Sequence, residues 1–280
     1  MRVGYLGPPG TYSGEALRAS APDGIEEVPL PTIYDAVMAV HDGEVDRSVV
    51  PIENALEGAV SVTLDTLALD ATDVRIVGEV VLPIHHCVVA ARELELDSVT
   101  RVVSHPQATA QCRNFLRTRL PGAEVVVAPS TSDAVLSVRD SSDPVVALGS
   151  RLAAELYDCR ILVADVEDHP DNVTRFVWLA PASEPSTDAA TKTTLVFWGS
   201  GDQSPGWLAQ ALQELAERGV NLTRIESRPR RTSLGHYMFF IDLEGGIAEP
   251  AVADALEALR GQVEELRVLG SYAGLSGSPG

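Results

Sequence analysis

The stretch DNVTRFVWL at residues 171–179 sets a hydroxyl, Thr174, beside a guanidinium, Arg175, inside an otherwise apolar run. In an extended strand successive side chains alternate between faces. Thr174, Phe176 and Trp178 then share one side, and Val173, Arg175, Val177 and Leu179 the other. Burying an unpaired charge is prohibitive, so this arginine must reach water, pair with a carboxylate, or receive an anion.

Three other segments put polar groups where a strand gives way to a helix or loop. GYLGPPGTYSGEAL turns on Gly-Pro-Pro-Gly, and Thr11 or Ser13 can cap the helix that follows. The free N–H groups and positive dipole end of such a helix suit a carboxylate. Its glycines at 4, 7 and 10 do not spell GxGxxG, and no nucleotide is implied. In VVPIENALEGAV, Pro51 opposes a central-strand role, so the strand is expected to stop and hand Glu53 and Asn54 to a loop or helix start. In VVSHPQATAQC, Pro106 suits a first helical turn, Ser104 or His105 caps it, and Gln107 and Gln111 lie one turn apart on one face. Taken singly, each segment is explained as well by ordinary capping.

Positioning these groups falls to a chain of 280 residues, long enough for two domains. The net charge of −19, with Lys192 the single lysine, argues against nucleic acid and anionic membrane as partners. It also means that an anionic substrate must be held by local positive features, a few arginines or helix N-termini. Cys87, Cys112 and Cys159 are odd in number and widely spaced, with no CxxC, which fits a reducing compartment. His85 and His86 are adjacent and cannot chelate together from a strand, so no metal is expected. The start, MRVGYLGPPG, lacks the apolar core of a secretory signal, and a cytoplasmic location is expected.

Up to about Leu179, short apolar runs alternate with helical periodicity, the signature of βα units on mostly parallel sheets with sites at strand ends. Residues 181–190 are rich in Pro, Ser, Thr and Ala and read as a linker. Beyond it the order β-α-β-β-α-β predicts a ferredoxin-like unit over 191–273, with a flexible tail at 274–280. Such a unit leaves one sheet face or edge bare, and pairing with a second copy is expected.

GYLGPPGTYS, VPIEN with Gly58 four residues on, SHPQATAQC and Asn172-Val-Thr-Arg-Phe together resemble the successive motifs of the prephenate dehydratase family. NLTRIESRP at 221–229 resembles the regulatory ACT domain that such enzymes carry. The resemblance implies an α/β catalytic domain over 1–180 with two lobes, arranged as in periplasmic binding proteins. Lobe one is expected at about 1–77 and 166–180, lobe two at about 78–165, with crossings near Gly78 and Asp165. It implies conversion of prephenate to phenylpyruvate, water and CO2, in phenylalanine biosynthesis and without a cofactor. By the same resemblance Thr174 is catalytic, and Thr11, Ser13, Glu53, Asn54, Ser104, Gln107, Arg175 and Phe176 bind substrate. A threonine hydroxyl is too weak an acid to hold a labile proton, but it can donate a hydrogen bond to a departing hydroxyl. If the strand is regular, Arg175 faces away from Thr174. It then either folds around to the ligand or braces Glu53 from behind.

For the ACT domain the resemblance implies feedback by an amino acid, usually phenylalanine, bound between paired copies in a homodimer or homotetramer. The matching positions are Gly206, Leu208, Asn221, Leu222, Glu226, Ser227, Arg228 and Pro229. Trp207 departs from the small residue usual after the glycine, which leaves effector identity and sign open. Two alternatives remain: arogenate as substrate or another prephenate-processing enzyme, and a non-catalytic amino-acid-sensing binding protein.

Overall fold

A computed structural model describes residues 1–184, 189–199, 201 and 204–274. The tail residues 275–280 and linker residues 185–188 lie outside the described residues.

The first sheet holds β1 (Arg2–Leu6), β2 (Glu26–Leu30), β3 (Arg47–Asn54), β4 (Gly58–Ala59), β5 (Val74–Pro83) and β11 (Val173–Pro181), in the order β2-β1-β3-β11-β5 with β4 on β3. Helix α1 (Tyr12–Ser20) covers one face, where Tyr5, Leu17, Phe176 and Trp178 pack together. Helices α2 (Ile33–His41) and α3 (Ser61–Leu69) cover the other, over Val177 and Leu179. The alternation along 173–179 therefore holds: the Phe176 side and the Val177 side of β11 bury in different cores.

The second lobe is a sheet of β6 (Cys87–Ala90), β7 (Arg101–Ser104), β8 (Glu124–Val127), β9 (Val145–Gly149) and β10 (Arg160–Val163), in the order β10-β6-β9-β7-β8. Helices α4 (Pro106–Gln111), α5 (Arg113–Arg119), α6 (Thr131–Val138) and α7 (Arg151–Leu156) flank it. The chain enters this lobe after β5 and returns after β10, so two crossings join the two lobes.

Two details differ from the sequence expectation. The crossing does not fall near Gly78: β5 runs through it to Pro83 and pairs with β11 over its whole length, so the lobes part at Ile84–His86. Nor does the strand stop at Pro51. β3 continues to Asn54, because pairing with β1 ends at Val49 and the β11 ladder slips between Arg175 and Phe176, opposite Pro51 and Glu53. A proline is tolerated at such a bulge, where one ladder N–H is not required.

The third unit has β12 (Lys192–Trp198), α8 (Trp207–Ala216), β13 (Leu222–Pro229), β14 (Tyr237–Glu244), α9 (Pro250–Arg260) and β15 (Glu265–Tyr272), giving the βαββαβ order and the sheet β13-β14-β12-β15. Both helices pack on one face, over Leu195, Phe197, Ile241 and Leu243. The opposite face is not bare. Val196, Met238, Phe240, Leu269 and Tyr272 share a core with α2, α3 and β11 of the first lobe. Gly270 permits this approach, since a Cβ there would lie 2.2 Å from the Ile76 carbonyl oxygen. Among the described residues the two edges of this sheet are β13 and β15, each paired on one side only.

Candidate active site

A cavity of about 430 Å³ opens between the two lobes, lined by Thr11, Tyr12, Ser13, Asn54, Glu57, Val60, His86, His105, Gln107, Gln111, Ser130, Thr131, Asn172, Thr174 and Phe176 among others. Its size is that of a small-molecule site. Among the described residues that line it there is no arginine or lysine. Positive potential comes instead from helix starts: α1 at Thr11–Ser13, α6 at Ser130–Thr131, and α3, whose approach through Gly58, Ala59 and Val60 forms part of the wall. The first N–H groups of each helix lack intrahelical acceptors, and together with the dipole they favour an anion.

Helix α1 owes its placement to the Gly-Pro-Pro-Gly turn. Thr11 Oγ1 donates to the Leu6 carbonyl at 2.6 Å and accepts from Gly14 N at 3.3 Å, so its side chain is a cap and its helix end faces the cavity. The turn also clasps lobe two: Tyr157 Oη and Ser132 Oγ donate to the Pro9 carbonyl, and Ser150 Oγ to the Gly10 carbonyl at 2.9 Å. Gly10 has φ +90°, and a Cβ on it would meet Ser132 Oγ at 2.7 Å, so glycine is required there.

Thr174 projects from β11 into the cavity. Asn54 orients it: Asn54 Oδ1 accepts from the N–H groups of Leu56 and Glu57, which fixes the amide, and Nδ2 donates to Thr174 Oγ1 at 2.9 Å. A hydroxyl has one hydrogen. Since Asn54 acts as donor to the oxygen, the Thr174 hydrogen is left for another acceptor.

Behind this pair runs a hydrogen-bonded network that joins both lobes. Asn54 Nδ2 also reaches Asn172 Oδ1 at 2.9 Å, and Asn172 Nδ2 donates to Gln111 Oε1 at 3.2 Å. Gln111 Nε2 donates to Glu57 at 3.0 Å, so its Oε1 is an acceptor and His86 Nε2 must donate to it, at 2.9 Å. The Tyr12 hydroxyl then meets His86 Nδ1 at 2.8 Å. Burial lowers the His86 pKa against the smaller upward pull of Gln111 and Glu167, which favours the neutral ring; the single Tyr12 hydroxyl hydrogen has two acceptors in reach, His86 Nδ1 and the His85 carbonyl, each at 2.8 Å. Burial likewise raises the Tyr12 pKa well above the ordinary value and keeps the phenol protonated.

Of the residues singled out from sequence, Thr11, Ser13, Asn54, Gln107, Thr174 and Phe176 line the cavity. Ser104 does not. It is buried beneath the α4 start, and its Oγ donates to the His105 carbonyl at 3.1 Å. Arg175 and Glu53 lie on the other side of β11. Arg175 contacts Glu53 Oε2 at 3.0 Å, Glu79 Oε2 at 3.2 Å and Asp242 Oδ2 at 2.6 Å. Burial works against its charge, but Asp242 and then the other surrounding groups outweigh this and raise its pKa. Glu57, His86, Gln111 and Asn172 are cavity residues missing from the sequence-based set; of these Gln111 carried a signal in its place one turn from Gln107, and Asn172 in opening the Asn172-Val-Thr-Arg-Phe motif.

The effector positions spread over the α8 start and β13. Gly206 caps α8 in the left-handed region at φ +85°. Trp207 rests among Phe197 and Phe239 and over Gly199 and Gly201. Arg228 is tied to Asp65 on α3 at 2.8 and 3.0 Å. His85, Asp165 and Glu167 come within ligand distance of one another, but Arg151 holds both Asp165 oxygens at 2.8 Å and His85 hydrogen-bonds Glu167.

A family model described as prephenate dehydratase matches residues 3–184, and an ACT-domain model matches 193–261. The chain belongs to the prephenate dehydratase family. It is 41% identical over 278 residues to a prephenate dehydratase of Amycolatopsis methanolica, covering 99% of this chain and 90% of that one. The solved prephenate dehydratase of Arthrobacter aurescens in complex with L-Phe superposes with a TM-score of 0.87 at 37% identity, covering 98% of this chain and 90% of that one. GqqA, described as a novel type of quorum-quenching acylase, superposes with a TM-score of 0.86 at 35% identity, covering 100% and 99%.

Proposed function

We propose that the cleft converts prephenate to phenylpyruvate, water and CO2, with Thr174 as the catalytic group. The observation that carries this is the Thr174 hydroxyl, held as acceptor by Asn54 so that its hydrogen faces a cavity rimmed by helix N-termini. In the reaction the bond from the ring to the carboxylate carbon breaks, its electron pair completes the aromatic ring, and the opposite ring hydroxyl departs. The overall change takes up one proton to make water. As charge builds on the departing oxygen, the Thr174 hydrogen bond strengthens, and one such preorganised donor is worth about 10²–10³ in rate. Tyr12, Ser13 and Thr131, at their helix starts, receive the two carboxylates, and Phe176 lies against the ring.

An acylase chemistry on this framework would need an activated nucleophile. Cys87 and Cys112 are buried, and burial raises both thiol pKa values, which disfavours the thiolate. Among the described residues no serine or threonine hydroxyl hydrogen-bonds a histidine ring; His86 bonds the Tyr12 phenol and Gln111. The site therefore favours dehydration.

The ACT domain takes phenylalanine as effector and pairs with a second copy along β13, and the enzyme works in the cytoplasm. The last placement is supported by free cysteines and by the lack, among the described residues, of any helix long and apolar enough to cross a membrane. The test is incubation of purified protein with prephenate or arogenate, with and without phenylalanine, following phenylpyruvate by its absorbance in alkali. Phenylpyruvate from prephenate is expected. Its absence would sink the reading, and phenylalanine product from arogenate would shift the substrate assignment.

A further inference from the structure

Thr174 and Arg175 are neighbours on opposite faces of β11, so whatever holds Arg175 also holds the catalytic hydroxyl. On the β3 side the ladder slips between Arg175 and Phe176, and such an irregularity interrupts the ladder and bends the strand locally, so side-chain contacts on the Arg175 face are the remaining local tie on that side. Those contacts come from three strands: Glu53 on β3, Glu79 on β5 and Asp242 on β14. The shortest is Asp242, which belongs to the ACT domain. Asp242 is itself fixed: its Oδ1 accepts from Thr194 Oγ1 at 2.7 Å, and Thr194 meets the Tyr272 hydroxyl at 2.9 Å.

A second guanidinium stands beside the same carboxylates. Arg224 Nε lies 3.6 Å from Glu53 Oε1, and Arg224 Nη1 lies 4.0 Å from Asp242 Oδ2. Its side chain is 9% exposed, yet neither Nη1 nor Nη2 has a hydrogen-bond partner among the described residues. Buried donors without acceptors are unfavourable, so Arg224 gains from any movement of β13 that brings it onto Asp242.

We propose that Asp242 is a positioning residue for Thr174, acting through Arg175, and that Arg224 competes with Arg175 for it. When Asp242 bonds Arg175, the ACT sheet braces the catalytic strand. When β13 shifts and Arg224 takes Asp242, Arg175 loses its shortest contact and Thr174 its alignment. The effector site on the same strand thereby reaches the chemistry through one carboxylate. This rests on the dehydratase reading above.

The experiment uses the full chain with prephenate as substrate. Asp242→Asn is expected to lower kcat about tenfold with KM within about twofold, the pattern of a lost transition-state interaction. In a Thr174→Val background the same change is expected to add nothing, because both act at one hydroxyl. Unchanged kcat, or an equal proportional loss in both backgrounds, overturns the inference while leaving the activity itself standing; no phenylpyruvate from the wild type overturns both. Should Asp242→Asn fail to fold, Thr194→Val, which frees Asp242 without removing charge, is judged by the same two criteria. Arg224→Gln is expected to keep basal turnover and raise the phenylalanine concentration for half-effect about fivefold or more. An unmoved response curve overturns the competing role.

Discussion

The two faces of β11 are built on opposite electrostatic principles. The Thr174 face looks into a cleft whose polar side chains are almost all neutral: Asn54, Asn172, Gln111, His86, Tyr12 and the helix caps. The Arg175 face carries a charged cluster in which Arg175, Lys192 and Arg224 meet Glu53, Glu79 and Asp242. The cleft proposed to take a dianion, on a chain of net charge −19, has Arg175, Arg224 and the single lysine behind it and helix N-termini at its front. Permanent charges suit the back, where they lock strands from two domains in one register.

The sharpest way to break this contrast is to empty the back. Arg175→Gln leaves Glu53, Glu79 and Asp242 without their shared cation, and removing one partner of a buried ion pair typically costs about 3–5 kcal/mol. Chemical denaturation should show a loss of that size. A loss under about 1 kcal/mol would mean that the cluster behaves like a surface ion pair and does not secure β11.

On the front, Thr174→Val removes the hydroxyl and keeps the β-branched shape. We expect kcat to fall about 10²–10³-fold, with KM and melting temperature nearly unchanged. Equal turnover in the variant would remove Thr174 from the chemistry and with it the functional difference between the faces.

Much of this was legible from sequence for a simple reason: period-two alternation in TRFVWL assigns residues to faces without knowledge of their neighbours. The same holds for the βαββαβ order after the linker and for the caps at Thr11 and His105. What pattern could not give is long-range pairing. Asn54 meets Asn172 and Thr174 across 118 and 120 residues, and Arg175 meets Asp242 across 67. Proline at 51 misled because its prohibition is local, and the bulge that accommodates it is set by a strand far along the chain. The sheet face expected to be bare is covered because Gly270 lets β15 approach β5, a contact no periodicity announces. The helix that Pro106 starts breaks at Cys112, which separates α4 from α5.

A milder test of the back concerns the second tie between domains. Burial alone would raise the Asp65 pKa, but hydrogen bonds from Arg228 and Arg231 outweigh it and hold the carboxyl below its ordinary value. A carboxyl lowered on folding stabilises above its unfolded pKa of about 3.9 and loses that contribution as pH falls through the folded value. Arg228→Ala should cost about 1.5–3 kcal/mol, typical of hydrogen bonds to a charged group, and flatten the acid limb of the stability curve below about pH 4. A steep limb in the variant would place the acid sensitivity elsewhere.

The smallest effect tests the requirement for neutrality at the front. His86 has a folded pKa below its unfolded value of about 6.5, because burial disfavours the imidazolium. Between those two values the unfolded chain binds a proton that the folded chain does not, so stability falls as pH drops below about 6.5 and holds above it. His41 works in the reverse sense: its hydrogen bond to Asp73 raises its pKa, so it adds stability as pH falls. Wild-type melting temperature alone would blur the two, and the informative quantity is the difference from His86→Asn. Between pH 7.5 and 5.5 the wild type should lose stability relative to this variant, and the difference should stay flat above about pH 7. A difference independent of pH would mean that His86 tolerates protonation in place, and that the network from Tyr12 to Thr174 does not depend on a neutral ring.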